Sequence, residues 1–221
     1  MKLILISAEP EEIRQFYRMG IFVGVASNPS LVAAAGLPSG DLVRAVLPIV
    51  EDPVFIQVSG LQADEMIAEG RELAAIDRDR VVVKVPVTAS GIEAIHALAS
   101  DGIRVTATAI CAANEALLAA RAGASFLAPY MARIYDVGGD GCQVVGDIVD
   151  LVEQHDLDAR VIAASVRTPE ELMLAWKVGA HFAAIQANVV SKTCSNPAVE
   201  AATQSFYENY TRTFGAQGHR E

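Results

Sequence analysis

At residues 81–88 the chain reads VVVKVPVT, so that Lys84 lies inside a run of β-branched apolar residues. Continuous apolar runs of this kind are typical of parallel strands that are covered on both faces. Burial disfavours the charged form of an amine, and a lysine at the inner end of such a strand is therefore partly neutral near pH 7. A neutral amine can attack a carbonyl carbon and form a Schiff base. A strand-end lysine whose ammonium group reaches water is the structural alternative.

Short apolar runs alternate with longer segments whose apolar residues recur every three or four positions, from one end of the chain to the other. The predicted strands are Leu3–Ile6, Ile21–Ala26, Val54–Val58, Val81–Val85, Arg104–Ala109, Phe126–Pro129, Arg160–Ala164 and Phe182–Gln186. The predicted helical segments are Leu61–Ile76, Ser90–Ser100, Cys111–Ala122, Gln143–His155 and Thr168–Val178. Eight strand–helix units in 221 residues predict an α/β fold, a single-domain (β/α)8 TIM barrel. A doubly wound open sheet is the rival, and the absence of a Gly-x-Gly-x-x-Gly turn after the first strand disfavours its dinucleotide-binding form.

The single barrel domain is expected to span residues 1–221, with a last helix at residues 197–214. Val199, Phe206, Tyr210 and Phe214 fall roughly on one stripe of this helix. An apolar stripe needs a surface to pack against. We therefore expect the last helix either to cover the barrel or to pack on a neighbouring subunit.

The composition excludes several classes of function. Hydrophobic residues make up 52% of the chain and the net charge is −10, which predicts a well-packed domain and argues against a broad nucleic-acid or anionic-membrane surface. No apolar run is long enough for a transmembrane helix, and the start of the chain lacks the pattern of a secretory signal. The three cysteines, Cys111, Cys142 and Cys194, are far apart and show no metal-ligand spacing. We expect a cytoplasmic protein without a metal.

Barrel enzymes carry their catalytic groups at the carboxyl ends of the strands. In this chain the polar residues predicted there are Ser27, Asn28, Gln57, Ser59, Lys84, Thr106, Thr108, Tyr130, Arg133, Ser165, Arg167 and Gln186. They comprise an amine, a phenol, several hydroxyl groups and two guanidinium groups, without paired carboxylates. Such a set suits the chemistry of a carbonyl compound that also carries an anionic group.

Physical roles can be assigned to these residues. Lys84 would condense with a ketone, and the resulting iminium would act as an electron sink for the adjacent carbon–carbon bond. Tyr130, Gln57 and Thr108 could hold a water molecule that carries protons. The forked donors of Arg133 and Arg167, helped by Ser165, could bind a phosphate. Each residue also has an ordinary interpretation: a rim aromatic for Tyr130, surface ion pairs for the arginines, and satisfaction of buried backbone groups for Gln57.

Four blocks of sequence resemble the transaldolase family, and most closely its short branch of fructose-6-phosphate aldolases and small transaldolases. They are residues 24–30 (GVASNPS), 82–88 (VVKVPVT), 128–134 (APYMARI) and 163–168 (AASVRT). The likeness covers nearly the whole chain, in the same order and with matching spacing. Four blocks together are a specific signal, whereas any one of them alone is weak.

The resemblance implies a class I aldolase-type barrel with no metal or organic cofactor and with Lys84 as the Schiff-base lysine. It implies that Asn28 orients the hydroxyl groups of the donor and that Arg133 and Ser165, with Arg167 nearby, bind phosphate. Transaldolases of the family generally carry glutamate and phenylalanine where this chain has Gln57 and Tyr130, so this pair indicates the aldolase branch. The resemblance further implies a homo-oligomer, a pentamer or a pair of pentamers, whose last helix reaches a neighbour.

Two positions depart from the family pattern. Ile6 stands where the family has an aspartate, and Ala26 replaces the first threonine of the usual Thr-Thr-Asn-Pro block, with Ser27 at the second. Both changes make the donor side of the pocket more apolar. A hydroxylated donor would lose hydrogen bonds worth about 0.5–1.5 kcal/mol each. We therefore expect either a less hydroxylated ketone or aldehyde as donor, or reduced activity.

The leading prediction is a class I aldolase that uses Lys84 to cleave or form carbon–carbon bonds in sugar-phosphate-like substrates. Ser27, Asn28, Ser59, Thr106, Arg133, Ser165 and Arg167 are its predicted binding residues, and Lys84, Tyr130, Gln57 and Thr108 are its predicted catalytic residues. A transaldolase that transfers a ketol unit is the first alternative. A non-catalytic relative that binds a sugar phosphate, and a different Schiff-base barrel such as a deoxyribose-phosphate aldolase, are the others.

Overall fold

Eight parallel strands follow one another around a closed barrel in the computed structural model, which describes residues 1–215. The strands are β1 (Lys2–Ile6), β2 (Phe22–Ala26), β3 (Val54–Gln57), β4 (Val81–Pro86), β5 (Val105–Ile110), β6 (Phe126–Pro129), β7 (Arg160–Val166) and β8 (Phe182–Gln186). The predicted (β/α)8 barrel is thereby confirmed, and the open-sheet rival is wrong because β1 pairs with β8. Residues 216–221, which the predicted domain includes, lie outside the described part of the chain.

Helices connect the strands and cover their outer faces. They are α1 (Pro10–Tyr17), α2 (Pro29–Ala35), α3 (Ser39–Val46), α4 (Ala63–Ala74), α5 (Ala89–Ser100), α6 (Ala113–Arg121), α7 (Met131–Asp136), α8 (Gly141–Gln154), α9 (Pro169–Lys177), α10 (Ala187–Cys194) and α11 (Pro197–Phe214). The five predicted helical segments agree with α4, α5, α6, α8 and α9 to within two residues at each end. The helices α1, α2, α3, α7 and α10 lie outside the predicted segments because six to eight residues are too few to show a clear helical period. None of the helices within residues 1–215 is long and apolar enough to cross a membrane.

Alternation of side chains along the strands divides the core into two layers. The larger layer lies between the strands and the helices. The smaller layer fills the barrel and consists of Ile4, Ala26, Phe55, Val82, Ala128, Ile162, Ala164 and Ala184. Since Lys84 is two residues beyond Val82 on β4, its side chain also faces the interior of the barrel.

The strand that carries Lys84 is fixed at its carboxyl end by a close helix start. The Thr88 hydroxyl caps α5 by accepting a hydrogen bond from the Gly91 amide at 2.9 Å. A Cβ atom on Gly91 would lie only 1.9 Å from the carbonyl oxygen of Pro86, so that only glycine permits this approach. The first turn of α5 therefore holds the end of β4 in position.

Three large apolar side chains of the last helix are exposed within the described part of the chain. Helix α11 has no buried residue, and Val199, Phe206 and Phe214 are 58%, 71% and 65% exposed. Within residues 1–215 the barrel therefore does not cover these three side chains.

Candidate active site

A cavity of about 560 Å³ opens at the carboxyl end of the barrel, where the polar residues were predicted. Nine of the eleven predicted catalytic and binding residues line it: Asn28, Gln57, Lys84, Thr106, Thr108, Tyr130, Arg133, Ser165 and Arg167. Gln186 also lines the cavity. The barrel thus brings together residues that are up to 158 positions apart in the chain.

Lys84 lies partly buried in the wall of this cavity. Its Nζ donates a hydrogen bond of 2.8 Å to the carbonyl oxygen of Ser27. Among residues 1–215, no acidic side chain lines the cavity to stabilise the ammonium form. Burial therefore lowers the pKa of Lys84 from 10.5 to about 8.

Two uncharged polar residues flank Lys84 on the adjacent strands. Gln57 of β3 and Thr106 of β5 pair in register with Lys84, one on each side. The Gln57 Oε1 and the Thr106 Oγ1 are buried and accept or donate no hydrogen bond within the described residues. Buried polar atoms are normally satisfied, so these two are suited to meet a polar group of a molecule bound at the amine.

A hydroxyl group and a phenol lie next to this row. The Thr108 Oγ1 donates a hydrogen bond of 3.3 Å to the Tyr130 hydroxyl. Thr108 is fully buried and lies two residues beyond Thr106 on β5, while Tyr130 follows β6. The pair can hold and pass a proton at the wall beside Lys84.

Two arginines, Arg133 and Arg167, also line the cavity and bring positive charge to it. Arg133 of α7 is exposed and forms no hydrogen bond or ion pair within residues 1–215. Arg167 makes a forked ion pair with Asp136, with both nitrogen–oxygen distances at 2.7 Å. Hydrogen bonding to Arg167 holds the pKa of the Asp136 carboxyl below its usual range, and the charge of Arg133 adds to this effect.

Ser165 reaches the cavity through an irregular strand end. Its φ of +58° lies in the left-handed region that non-glycine residues rarely adopt, and the pairing of β7 with β8 shifts register between Ala163 and Val166. Such bulges re-aim side chains at barrel rims. Ser165 therefore faces the cavity although simple alternation along β7 does not require it.

Ser27 and Ser59 do not line this cavity. Ser59 is exposed, and its hydroxyl donates to the Glu69 carboxylate at 3.1 Å in a separate groove. Ser27 is buried behind Ala26, which takes the inward position on β2, and only its carbonyl oxygen contacts Lys84.

Asp136 was missed by the sequence reasoning. It lies three residues after Arg133 on α7, a spacing that places two side chains on neighbouring positions of a helix surface and could have signalled its role. Asn28 has a second task besides lining the cavity, because its Oδ1 caps α2 by accepting from the Leu31 amide at 3.0 Å.

The chain is similar to known proteins over almost its whole length. Residues 5–220 match the family described as transaldolase/fructose-6-phosphate aldolase. A probable transaldolase of Pelotomaculum thermopropionicum is 42% identical over 212 residues, which cover 96% of this chain and 98% of that protein. A probable transaldolase of Clostridium perfringens is 38% identical over 214 residues, covering 97% and 99%. One of Desulfitobacterium hafniense is 38% identical over 212 residues, covering 96% and 99%.

The lysine, glutamine, tyrosine and arginine that carry the resemblance in the sequence thus line one cavity, and the match extends over almost the entire length of the relatives. This chain belongs to the transaldolase/fructose-6-phosphate aldolase family of enzymes.

Proposed function

We propose that the protein is a class I aldolase that forms and cleaves carbon–carbon bonds in sugar-phosphate-like substrates through a Schiff base on Lys84. The amine of Lys84, with its pKa lowered to about 8 inside the cavity, carries this proposal. At pH 7 about one such amine in ten is neutral, against about one in three thousand for an amine of pKa 10.5. The protein thereby supplies a nucleophile at neutral pH without a metal or an organic cofactor.

The chemistry begins when the neutral amine of Lys84 attacks the carbonyl carbon of a ketone donor. A carbon–nitrogen bond forms, the carbonyl electrons move to oxygen, and the carbinolamine takes up a proton and loses water to give an iminium. Loss of a proton from the adjacent donor carbon yields an enamine. That carbon then bonds to the aldehyde carbon of an acceptor, whose oxygen takes up a proton, and water releases the product from Lys84. Cleavage runs through the same steps in reverse.

Tyr130 and Thr108 are suited to move these protons. Thr108 lies on β5, next to β4, and Tyr130 follows β6; their hydroxyl groups are joined by a hydrogen bond of 3.3 Å. Positioned acid–base groups of this kind contribute about 10²–10⁴-fold to catalysis. Gln57, which flanks the amine and lacks a partner for its Oε1, would help to hold the water between them.

Arg133 and Ser165 would bind the phosphate group of the substrate. Arg133 offers an unpaired guanidinium group at the cavity, and a forked donor suits a phosphate. Arg167 would join them when its ion pair with Asp136 opens.

Transfer of a ketol unit between sugar phosphates is the second candidate, because the relatives carry the name probable transaldolase. The two activities share every step up to the enamine. In the aldolase the enamine carbon then takes up a proton, whereas in the transferase it bonds to the carbonyl carbon of a second aldehyde, and in both water releases the product from Lys84. Gln57 and Tyr130 support the aldolase, since the family resemblance associates this pair with that branch. Release of free dihydroxyacetone from fructose 6-phosphate, without an added aldehyde, would distinguish the aldolase from the transferase.

We further propose a cytoplasmic homo-oligomer, a pentamer or decamer, in which α11 packs on a neighbouring subunit. The exposed side chains of Val199, Phe206 and Phe214 on α11 support this assembly, because large apolar side chains gain by burial against a partner.

Reduction with borohydride tests the central proposal. The protein is incubated with dihydroxyacetone, hydroxyacetone or fructose 6-phosphate, reduced, digested and analysed by mass spectrometry, with Lys84→Met as the matched control. We expect the mass of a reduced adduct on the peptide that contains Lys84. Absence of this adduct with all three compounds would contradict the proposal and favour a non-catalytic protein that binds sugar phosphates.

A further inference from the structure

We infer that a row of three phenylalanine side chains, Phe55, Phe126 and Phe182, closes the amino end of the barrel against water and so keeps the Lys84 amine reactive. This inference rests on the Schiff-base function proposed for Lys84 and assigns the residues that maintain its dry surroundings. The three side chains act through Lys84 and take no part in bond formation themselves.

The three rings lie in one row across the inside of the barrel. Phe55 of β3 meets Phe126 of β6 edge to face, with ring centroids 5.3 Å apart and ring planes at 79°. Phe126 meets Phe182 of β8 in the same manner, at 5.9 Å and 77°. Edge-to-face pairs are favourable beyond the area that they bury. The row therefore joins three strands of which no two are neighbours in the sheet.

The row extends from the cavity to the opposite end of the barrel. Phe55 is 3% exposed, lines the cavity and lies two residues before Gln57, which places its ring one layer deeper than the residues that flank Lys84. Phe126 and Phe182 are the first residues of β6 and β8, and neither lines the cavity. Both are half-buried, and the exposed Lys2 places its Nζ 6.0 Å from the centroid of the Phe182 ring. The rings therefore separate the cavity from solvent at the amino end.

The other inward positions at this depth carry small side chains. Alanine occupies the inward position on four strands, at Ala26, Ala128, Ala164 and Ala184. The Phe55 ring also fills the space beside Gly24 on β2, where an added Cβ atom would lie 3.0 Å from the Cε2 of the ring. Protein interiors are packed almost without voids, so the rings supply the volume that the alanines and the glycine leave. Removal of a ring would open a path for water from the amino end.

Exclusion of water matters for Lys84 because no opposite charge lies beside its amine. Within residues 1–215, the other ionisable side chains that line the cavity are Tyr130, Arg133 and Arg167, and the Asp136 carboxylate outside it is paired with Arg167. Burial alone lowers the pKa of Lys84 to about 8. Water that reached the amine from below would solvate its ammonium form and raise this pKa towards 10.5.

Competitive acetylation tests the role of the row and does not require a Schiff base. The protein is treated with a trace of acetic anhydride at several pH values and digested, and the acetylation of each lysine is measured by mass spectrometry. Only a neutral amine reacts, and the exposed Lys177 and Lys192 serve as internal references. The variants are Phe126→Ser, which removes the ring and offers water a polar partner, and Phe126→Leu, which keeps a large apolar side chain.

We expect the midpoint for acetylation of Lys84 to rise by about one pH unit in Phe126→Ser and to stay at its native value in Phe126→Leu. Borohydride trapping with dihydroxyacetone at pH 7 should slow by about ten-fold in Phe126→Ser, because the neutral fraction of the amine falls by this factor. A loss of packing alone would lower the free energy of unfolding in urea without moving the acetylation midpoint.

The possible results separate this inference from the function on which it rests. An unchanged midpoint in Phe126→Ser, or an equal rise in Phe126→Leu, would overturn the role of the three rings and leave the Schiff-base chemistry intact. Absence of a borohydride adduct on the native protein would overturn the Schiff-base function, and the acetylation midpoints would still decide whether the rings exclude water. Where Phe126→Ser folds poorly, Phe182→Ser at the far end of the row decides the same question.

Discussion

Replacing Lys84 with methionine should remove the catalytic amine and at the same time stabilise the fold near neutral pH. The side chain of methionine has a similar length but carries no charge to be desolvated. At pH 7 most native molecules carry an ammonium group at Lys84, which is in an environment that disfavours it. The lowering of its pKa from 10.5 to about 8 corresponds to a destabilisation of about 3 kcal/mol at low pH.

The pH dependence isolates this contribution. Because the folded-state pKa lies below that of the unfolded chain, the unfolded chain binds more protons between about pH 8 and 10.5, and the free energy of unfolding of the native protein rises through this window. The penalty is fully present below pH 8. We therefore expect the stability advantage of Lys84→Met to shrink by about 2–3 kcal/mol between pH 7 and pH 10.

The hydrogen bond from Lys84 to Ser27 affects the size of the stability difference between Lys84→Met and the native protein, but not the change of that difference with pH. Its loss leaves the Ser27 carbonyl oxygen without that donor, which costs about 1–3 kcal/mol and offsets part of the gain at pH 7. For this reason the assay is the difference in free energy of unfolding between variant and native protein, measured by urea titration at several pH values. Lys84→Arg provides the control, since its side chain stays charged throughout. A difference between Lys84→Met and the native protein that stays constant from pH 7 to pH 10 would refute the burial argument.

Three further changes test other parts of the site and the assembly. Tyr130→Phe should lower kcat by about 100-fold or more while the borohydride-trapped adduct still forms, and an unchanged kcat would remove the phenol from proton transfer. Asp136→Asn should lower KM several-fold for glyceraldehyde 3-phosphate but not for glyceraldehyde, because it frees Arg167 for the phosphate; equal effects on both aldehydes would contradict this. The double change Phe206→Asp and Phe214→Asp should dissociate the oligomer, as sedimentation velocity would measure, whereas unchanged assembly would show that α11 is not at the interface.

The barrel and the centre of the site could be predicted because both depend on short-range patterns. The alternation of side chains along β4 fixes the inward direction of Lys84 from Val82, two residues earlier. On β3 the same alternation predicts that Gln57 faces the interior, because it lies two residues after the inward-facing Phe55. Once eight strands close in order, the carboxyl ends meet at one rim whatever their separation in sequence.

Ser27 and Ser59 were predicted to lie at the site but do not line the cavity, because of the direction of one side chain and the end of one strand. Ser27 follows the inward-facing Ala26, so the same parity turns its side chain away from the cavity. Ser59 lies beyond the last residue of β3, where the chain has left the barrel wall. Ser165 was predicted at the site and lines the cavity, but its orientation depends on a bulge and a left-handed backbone, and no residue type in the sequence indicates either.

The ion pair of Arg167 with Asp136 could not be read from strand patterns, because it joins a residue after β7 to a helix after β6. Sequence reasoning treated both arginines as equivalent phosphate donors. Within residues 1–215, Arg133 forms no ion pair, whereas Arg167 is paired with the carboxylate of Asp136. The two arginines therefore differ in how readily they bind an anion.

Apolar side chains of β7, β8 and β1 line one side of the cavity, among them Ile162, Ala184 and Ile6. This apolar side affects both the reactivity of Lys84 and the choice of donor. The absence of a carboxylate along the cavity wall leaves the ammonium form of Lys84 unsupported, which keeps its pKa low. The same absence leaves a donor hydroxyl group on that side without an acceptor. A carboxylate at the position of Ile6 would accept such a hydroxyl group, but it would also face the amine across the barrel and stabilise its charged form. Hydroxyl recognition and activation of the nucleophile therefore oppose each other at this position, and an isoleucine there favours the nucleophile.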